Sequence, residues 1–444
     1  MKRCILVGIM LLLTQVYAGS LTEIFFQPCP RAHSVMVTDT NDDRIVLYGG
    51  DDMNNSGVHH CDVWALDPVD RTWVCLEVVG QPPSDRTWCA SVYDATEDRA
   101  IIFGGYYTGY FYNDVWELDL TAGSETWQLL STSGTPPAPR EAATAIIDPV
   151  NNRMIVFGGY DQTTSARNDV WELDLTTLTW TQLFPSGTSP GPRYAHSAVY
   201  DQVEHRMVVF GGSAPYMFAF NDVWELDLTD GAEAWQQLSP TGPFPVGRSR
   251  HFWAHNPSTN DMIIGFGFDS DGMSIWIYND VWVLDLGSLE WRDVSNGGFA
   301  ITARRGASAA FFPDDQFTYI FGGHVLASQY CFETYQLDLD PTAVYEYDKD
   351  KAFDNEYLKI ETNPNRGPVK MDLYIPEAEV ITLKVVDVSG RVVSTLIDRM
   401  RYSGHCIVVW EGTDNQGVRL PAGTYFGILE MGDQMVVKKA VVVK

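Results

Sequence analysis

One hydrophobic pattern recurs along most of the chain. Six times, a short apolar run ends in a glycine pair or its remnant, and a stretch that alternates apolar and polar residues follows it. One example is MVVFGG, which is followed by NDVWELDL. Alternation predicts a half-buried strand, and an uninterrupted apolar run predicts a strand that is covered on both faces. The pattern therefore predicts the same small β-sheet built six times.

Repeated landmarks fix the length of this unit. An arginine precedes each apolar run, and successive arginines lie 53 to 56 residues apart. Two tryptophans follow each of the first five runs at a spacing of 9 or 11 residues, which keeps both on the same sides of their strands. A period in this range indicates a solenoid or a propeller. The landmarks are Arg31, Arg86, Arg140, Arg193, Arg248 and Arg304, with Gly49, Gly50, Gly104, Gly105, Gly158, Gly159, Gly211, Gly212, Gly322 and Gly323.

The order of these landmarks resembles the kelch repeat. Each unit has an arginine before strand one, a glycine pair after strand two, an aromatic residue in strand three and a tryptophan that opens strand four. The resemblance implies an all-β fold, a six-bladed kelch β-propeller, which we assign to residues 19–347. Two units depart from the pattern, because the fifth has Gly265, Phe266 and Gly267, and the sixth has Glu333, Thr334 and Tyr335 in place of Asp-Val-Trp.

The sixth unit also lacks a tryptophan to open a fourth strand. The segment Leu21 to Gln27, before the first arginine, has the spacing and polarity of a fourth strand. We therefore expect this segment to supply the outer strand of the last blade and to close the ring. The alternative is that Ala343 to Tyr347 takes that position.

The C-terminal residues predict a separate domain. Residues 348–356 form a charged linker, and residues 357–444 hold short alternating segments bounded by turns, which predict a small β-sandwich. The strings NPNRGPVKMDLYIPE and WEGTDNQGVRLPAGTY resemble the Ig-like domain of flagellar hook-capping proteins and related sorting domains of exported bacterial proteins, such as type IX secretion cargo. The resemblance implies a bacterial protein that meets export machinery through this domain.

The N-terminal residues predict export. Residues 1–18 have two basic residues, an apolar run and a small residue before the expected cut, as a secretory signal peptide does. No later apolar run in the sequence is long enough to span a bilayer. We therefore expect a secreted or cell-surface protein without a membrane span.

Disulfide bonds are expected in an exported protein, because the environment outside the cytosol permits them. Cys29, Cys61 and Cys331 fall near the seam between the first and last blades, so we expect at least one bridge among them. The other cysteines of the exported chain are Cys75, Cys89 and Cys406.

The charge is distributed unevenly between the two domains. Residues 20–347 hold 15 arginines, no lysine and 44 acidic residues, whereas residues 348–444 hold 13 basic and 14 acidic residues. An acidic body of this kind repels nucleic acid and anionic lipid. Nucleic acid is therefore excluded as an expected partner.

Aromatic loops carry the candidate ligand site. The loops between the second and third strands open on one face of the propeller, which we call the loop face, and in blades two, four and five they are rich in aromatic residues. Flat aromatic surfaces suit sugar rings or a protein partner. The aromatic residue just before Asn-Asp, which is Tyr112, Phe220 or Tyr278, is expected to pack inward instead. The candidate ligand-binding residues are Tyr106, Tyr107, Tyr110, Tyr216, Phe218 and Trp276.

The six repeated arginines have two interpretations. A ring of arginines around a channel would bind an anion, but a residue found in every repeat is more typical of scaffold, paired with carboxylates or carbonyls. We expect the scaffold role.

Other chemistry is weakly signalled, and no cofactor is expected. His59, His60 and His324 are weak candidates for a transition-metal site, and DSDG at residues 269–272 hints at calcium without the full loop pattern. The sequence has no nucleophile elbow, phosphate loop or zincin motif. We therefore expect a binding protein for a glycan or protein. The alternatives are a carbohydrate-active enzyme of the kelch type, either an oxidase or a sugar mutarotase, and a structural surface or adhesion component.

Overall fold

The structure is a computed structural model that divides into two compact units, Met1–Asp348 and Lys349–Lys444. Every regular element in the described ranges is a β-strand, and none of these ranges contains a helix long and apolar enough to cross a membrane. The signal-peptide segment and the 348–356 linker lie outside the described residues. The structure describes residues 27–52, 58–163, 165–215, 219–270, 275–295, 302–325, 329–331, 333–337, 344–346, 358–361, 369–410, 412–415, 418–431 and 434–442.

Six antiparallel sheets of four strands, numbered here in chain order, form the body of the first unit, and short two-stranded sheets accompany them. In each of the six, the strands follow one another from first to fourth. Short fifth strands, Val79–Gly80, Ser133–Gly134 and Ser186–Gly187, add to sheets 2, 3 and 4. The strands are, in sheet 1, Val35–Asp39, Arg44–Tyr48, Val63–Asp67 and Thr72–Cys75; in sheet 2, Ala90–Asp94, Arg99–Phe103, Val115–Asp119 and Thr126–Leu129; in sheet 3, Thr144–Asp148, Arg153–Phe157, Val170–Asp174 and Thr179–Leu183; in sheet 4, Ser197–Asp201, Arg206–Phe210, Val223–Asp227 and Ala234–Leu238; in sheet 5, Phe252–Asn256, Asp261–Gly265, Val281–Asp285 and Glu290–Asp293; in sheet 6, Ser308–Phe312, Phe317–Phe321, Thr334–Leu337 and Val344–Glu346.

The prediction that Leu21 to Gln27 supplies the outer strand of sheet 6 is wrong. Val344–Glu346 pairs antiparallel with Thr334–Leu337 and occupies that edge, so the alternative segment is the one that the structure supports. This strand follows its partner after a short connection, so pairing them needs no contribution from the distant N-terminus. Of the Leu21 to Gln27 segment, only Gln27 lies within the described residues.

Each repeated arginine is buried and ties together the strands of its own sheet. In sheet 3, Arg140 donates to the carbonyl of Gly158 at 2.9 Å and to both carboxylate oxygens of Asp169 at 2.7 and 2.8 Å. Its Nε donates to the carbonyl of Ala138 at 3.0 Å, and Trp171 Nε1 donates to the same Asp169 at 2.7 Å. The equivalent arginine–carboxylate pairs are Arg31 with Asp62, Arg86 with Asp114, Arg193 with Asp222, Arg248 with Asp280 and Arg304 with Glu333.

The two departures from the repeat keep this arrangement with other side chains. In sheet 6, Arg304 donates to Glu333 at 3.3 Å and to the hydroxyl of Tyr335 at 3.0 Å, so a glutamate and a tyrosine replace the aspartate. In sheet 5, Phe266 takes the place of the first glycine at φ 63° and offers its carbonyl to Arg248. The arginines are therefore scaffold, and their side-chain donors are used within the sheets.

Backbone hydrogen bonds join neighbouring sheets into a ring. The residues two positions after each repeated arginine form a closed cycle in which each N–H donates to the equivalent carbonyl of the preceding sheet, at 2.7 to 3.2 Å. Because the His33 N–H donates to the Gly306 carbonyl, the cycle connects sheet 1 to sheet 6. All six residues have φ between 51° and 68°. We call this cycle the collar; it consists of His33, Trp88, Ala142, Ala195, Arg250 and Gly306.

Side chains support the same seam between the first and last sheets. Trp73 Nε1 donates to Thr334 Oγ1 at 2.9 Å, and Tyr330 donates to Asp51 at 3.2 Å. Arg31 donates its N–H to the Cys331 carbonyl, and its own carbonyl accepts from Gly323 N–H. The seam therefore has the same kind of contacts as the junctions between consecutive sheets.

A second layer of charge lies at the opposite ends of the strands. Arg153, at the start of a second strand, pairs with Asp148 of its own sheet and with Glu233 of the next one. It also donates to the Leu228 carbonyl of that next sheet at 2.8 Å. Arg44 and Arg206 make corresponding bonds across their junctions. Residues 20–347 contain 15 arginines and no lysine. Most of these arginines take part in structural ion pairs.

The second unit is also all β, with its own buried core that includes Leu383, Trp410 and Leu429. The short segments predicted from the sequence are partly merged, because two strands are 19 residues long. Register shifts, such as the one between Ile375 and Glu379, interrupt these strands without a turn. The five strands are Leu358–Glu361, Val369–Asp387, Val392–Trp410, Gly423–Met431 and Gln434–Val442.

The disulfide prediction is wrong for this structure. No disulfide joins the described cysteines, and Cys331 is buried whereas Cys29 and Cys61 are exposed. Burial raises the pKa of the Cys331 thiol to about 12, so it stays protonated at neutral pH. Cys406 has no described side chain.

Replacing a scaffold arginine tests this fold. We expect Arg140→Met to lower the free energy of unfolding by about 3–5 kcal/mol, because Asp169 and two carbonyls would lose their buried donor. Urea denaturation followed by tryptophan fluorescence measures the change. The matched control is Arg71→Met, an exposed arginine in a turn, which should change it by about 0.5 kcal/mol or less. Equal stability of the two variants would contradict the scaffold role.

Candidate ligand site at the mouth of the ring

Three sets of six equivalent residues surround the axis at the loop face. The first set is the collar. The second set consists of the residue before each collar member. The third set consists of the residue after each glycine pair, and its members pair with those of the second set through the backbone. We call the three sets together the mouth. The second set is Ala32, Thr87, Glu141, Tyr194, Ser249 and Arg305, and the third is Asp51, Tyr106, Tyr160, Ser213, Phe268 and His324.

The backbone of the mouth repeats, but its side chains do not. Equivalent positions hold residues as different as Arg250, Ala195 and Gly306, or Glu141, Ala32 and Arg305. Every repeat uses the same backbone pattern for closure, whereas the side chains serve closure only in places, as where Asp51 accepts from Tyr330 across the seam. Chemistry specific to this protein is therefore concentrated at the mouth.

Arg250 is the most unusual member of the mouth. Its guanidinium carbon lies 5.2 Å from the ring centroid of Trp88 and 4.8 Å from that of Phe268, so two aromatic rings hold it in place. Its Nε is shielded from solvent and has no hydrogen-bond partner, and Arg250 forms no ion pair with any described residue. Burial lowers the pKa of Arg250, although it remains a cation at neutral pH. A fixed cation with unused donors is a site for an anion.

Arg305 adds a second positive charge to the same side of the mouth. Its guanidinium carbon lies 4.7 Å from the ring centroid of Phe268, the ring that also contacts Arg250. Burial and the charge of Arg250 lower the pKa of Arg305 to about 10. Burial and the charge of Arg305 lower the pKa of His324 to about 4, so that imidazole is neutral and accepts from Arg305 Nε at 3.4 Å.

Two residues of the mouth, Asp51 and Glu141, carry carboxyl groups. Asp51 is occupied, because His33, Thr87 and Tyr330 all hydrogen-bond to it at 2.8 to 3.2 Å. Glu141 has no hydrogen bond or ion pair with a described side chain. Burial raises the pKa of Glu141 to about 7, even though Arg250 acts in the opposite direction.

Aromatic rings extend from the mouth across sheets 2 to 4. Tyr106 contacts Phe111 at 5.2 Å between ring centroids, Phe111 contacts Tyr160 at 6.3 Å, and Tyr160 contacts Tyr194 at 5.2 Å. All four rings are partly buried. These four rings therefore form one packed and partly exposed surface.

The structure describes four of the six predicted ligand-binding aromatic residues. Tyr110 is 70% exposed and Trp276 is 43% exposed, on loops of sheets 2 and 5. Tyr106 and Tyr107 are partly buried, and Tyr107 lies against His59 at 4.9 Å between ring centroids. Tyr216 and Phe218 lie outside the described residues.

The residues expected to pack inward stack on the scaffold arginines. Tyr112, Phe220 and Tyr278 lie 4.0, 4.5 and 4.6 Å from the guanidinium carbons of Arg86, Arg193 and Arg248. These three aromatic residues therefore belong to the scaffold and not to the ligand site.

The histidine candidates are held in separate contacts. Burial and the charge of Arg31 lower the pKa of His60 to about 3, while His59 packs on Tyr107 and His324 accepts from Arg305. Among the described residues, the one group with three closely placed ligand atoms is Asp39, Asp42 and Asp98, at the opposite face. Asp39 in that group already pairs with Arg44.

Comparison with known proteins agrees with this geometry. The chain matches the KLHDC2/KLHL20/DRC7 Kelch-repeats domain over residues 20–183 and 146–350. The chain belongs to the kelch-repeat family. In structure, this β-propeller resembles the chain solved as "Structure of YjhT", with a TM-score of 0.56, 17% identity and coverage of 72% of this chain and 99% of that chain. At that identity, the likeness concerns the fold alone.

Curated relatives of this kelch protein are diverse. It is 30% identical over 62% of its length to the "Dynein alpha chain, flagellar outer arm" of Chlamydomonas reinhardtii, and 28% identical over 57% to "Acyl-CoA-binding domain-containing protein 4" of Arabidopsis thaliana. It is also 28% identical over 57% of its length to the "Leucine-zipper-like transcriptional regulator 1 homolog" of Drosophila melanogaster. The matches span 6%, 37% and 25% of those proteins, so the chain is similar to only part of each of them.

Sequence reasoning missed the mouth. Arg250, Arg305 and Glu141 stand one or two positions after the repeated arginines, and at these offsets the six repeats disagree. That disagreement, at fixed offsets within an otherwise regular repeat, was the available signal.

Substitution of two tyrosines in one loop tests which of them lies at the surface and which belongs to the scaffold. We expect Tyr112→Ser to lower the free energy of unfolding by about 1–3 kcal/mol, because it removes the ring stacked on Arg86. Tyr110→Ser, two residues away, should change it by about 0.5 kcal/mol or less because that ring is exposed. Chemical denaturation of both variants measures the difference. A larger loss for Tyr110→Ser would show that the loop is assigned to the wrong side.

Proposed function

We propose that this kelch protein is a binding protein, a closed six-bladed propeller that captures a carboxylate-bearing glycan or protein at its mouth. The membership of the kelch-repeat family supports a binding role. The collar, whose hydrogen bonds return from Gly306 to His33, supports closure with six blades.

The observation that carries this proposal is the unpaired Arg250. Each of the six scaffold arginines bonds to a carboxylate or hydroxyl of its own sheet, as Arg248 does with Asp280 at 2.6 Å. Arg250, two residues later, has no such acceptor among the described residues. Its buried Nε has no hydrogen-bond partner, and its guanidinium lies against the rings of Trp88 and Phe268. An anion bound there would supply the missing acceptor and would be desolvated on both sides.

Exposed apolar side chains at the edge of the loop face favour a ligand that is larger than its charged group alone. Ile275 and Trp276 are 51% and 43% exposed, and Tyr110 is 70% exposed, so apolar surface remains at the edge of the loop face. Such surface is favourable for a ligand that extends beyond the charged group, with a sugar ring or an amino-acid side chain.

The remaining proposals concern location. Export through the N-terminal segment and attachment or sorting through an Ig-like C-terminal domain would place the mouth outside the cell. The five-stranded second unit is compatible with a small sandwich, and secretion is tested by fractionating cells that express the full chain.

Removal of the Arg250 cation tests the binding site. We expect Arg250→Met to weaken binding of acidic members of a combined glycan and C-terminal peptide array by about 10- to 100-fold, the usual range for a bond between charged groups. Arg71→Met, which removes an exposed arginine, should bind as the wild type does.

The array also separates the ligand classes. Signals confined to uronic-acid glycans would identify a glycan ligand, and signals confined to peptides would identify a protein. Binding of neutral ligands that is unaffected by Arg250→Met would overturn the proposed site.

A further inference from the structure

Glu141 is the one mouth carboxyl that the structure leaves without a function. It belongs to the second set of mouth residues, directly before the collar member Ala142, and its backbone pairs with Tyr160. Neither the closure of the ring nor the pairing of sheets uses its side chain, because the Glu141 carboxyl forms no hydrogen bond or ion pair with the described residues. In contrast, Asp51 in the third set holds three hydrogen bonds.

The groups that face Glu141 include charges of both signs. Glu141 directly precedes Ala142, whose N–H donates to the Trp88 carbonyl, and the guanidinium carbon of Arg250 lies 5.2 Å from the Trp88 ring centroid. The charge of Arg250 lowers the pKa of Glu141, and the charge of Asp51 raises it. Arg305 is the other cation of the mouth, whereas His33 and His324 are neutral because burial lowers the pKa of each imidazole. Burial raises the pKa of Glu141 to about 7, so its carboxyl can take up or release a proton near neutral pH.

We propose that Glu141 contacts the captured carboxylate through a shared proton, so that ligand binding at the mouth takes up one proton. This inference rests on the proposed function. The protonated Glu141 carboxyl donates an O–H to the ligand carboxylate, while the Arg250 N–H groups donate to the same anion. No covalent bond changes, and the proton comes from the solvent.

The physical reason is repulsion between two carboxylates near one cation. An anion on Arg250 adds a negative charge beside Glu141 and removes the attraction that partly favoured its ionised form, so the pKa of Glu141 rises further on binding. Ligand then binds best to the protonated form. Affinity must fall as the pH rises above about 7, the pKa of Glu141 in the free protein.

The same arrangement selects among ligands. Glu141 ionised beside Arg250 lowers the net positive charge that an anion meets, so weakly acidic surroundings favour capture. A ligand that carries its own donor next to the carboxylate, such as a sugar hydroxyl, would bond to ionised Glu141 and would lose less affinity at high pH than a simple carboxylate.

Isothermal titration of the full chain with D-glucuronate and with N-acetyl-diglycine tests this inference at pH 6 and pH 8. Both probes remain ionised over this range. We expect N-acetyl-diglycine to bind about tenfold more weakly at pH 8 than at pH 6, since one proton is lost with a pKa near 7. We expect a smaller loss for glucuronate, because its hydroxyls can donate.

The variant Glu141→Gln provides the decisive comparison. Its amide mimics the protonated carboxyl, so N-acetyl-diglycine should bind it equally at both pH values and about as tightly as it binds wild type at pH 6. The control Glu77→Gln, at an exposed position, should keep the wild-type pH dependence. Changing the buffer should also change the apparent enthalpy of the wild type, but not that of Glu141→Gln, because only the wild type takes up a proton.

The outcomes separate this inference from the function on which it rests. Binding to wild type that is equal at pH 6 and pH 8, or a Glu141→Gln variant that keeps the pH dependence, overturns the proton linkage alone. No binding of either probe at pH 6 overturns the carboxylate site, and the linkage with it.

Discussion

The collar is the constraint on which the rest of this kelch structure depends. Six consecutive repeats must each place one residue in the left-handed region so that its N–H reaches the carbonyl of the preceding repeat. For the five collar members that are not glycine, this conformation costs on the order of 1 kcal/mol each. The scaffold arginines hold that geometry, because each fixes the chain just before the collar through bonds within its own sheet.

The division of labour within each repeat follows from this constraint. Arginine, glycine, aspartate and tryptophan recur because every sheet needs the same bonds. The collar is closed by backbone hydrogen bonds, so most side chains of the mouth can differ from repeat to repeat. Arg250 and Glu141 could therefore diverge from the equivalent residues without loss of the fold. The mouth combines a held cation with an unengaged carboxyl, and the proposed anion site rests on this pair.

Much of the fold could be predicted from the sequence, because periodicity reports directly on repeated strands. The six arginines, the glycine pairs and the tryptophan spacing all correspond to real contacts, and even the inward aromatic residues such as Tyr112 could be predicted. The outer strand of sheet 6 could not, since Leu21 to Gln27 and Val344–Glu346 have similar patterns and only pairing decides between them. The mouth was missed for a different reason: Arg250 and Glu141 are 109 positions apart in the sequence, and only the ring of sheets places both at the mouth.

The most direct test of the account is the NMR signal of the Arg250 Nε–H group, assigned by its absence in Arg250→Met. In the free protein no acceptor holds this proton, and addition of N-acetyl-diglycine at pH 6 should shift the signal downfield. The Nε–H signals of the scaffold arginines, such as Arg248, should stay unchanged because their acceptors are already in place. Saturable binding that leaves the Arg250 signal unmoved would contradict the account.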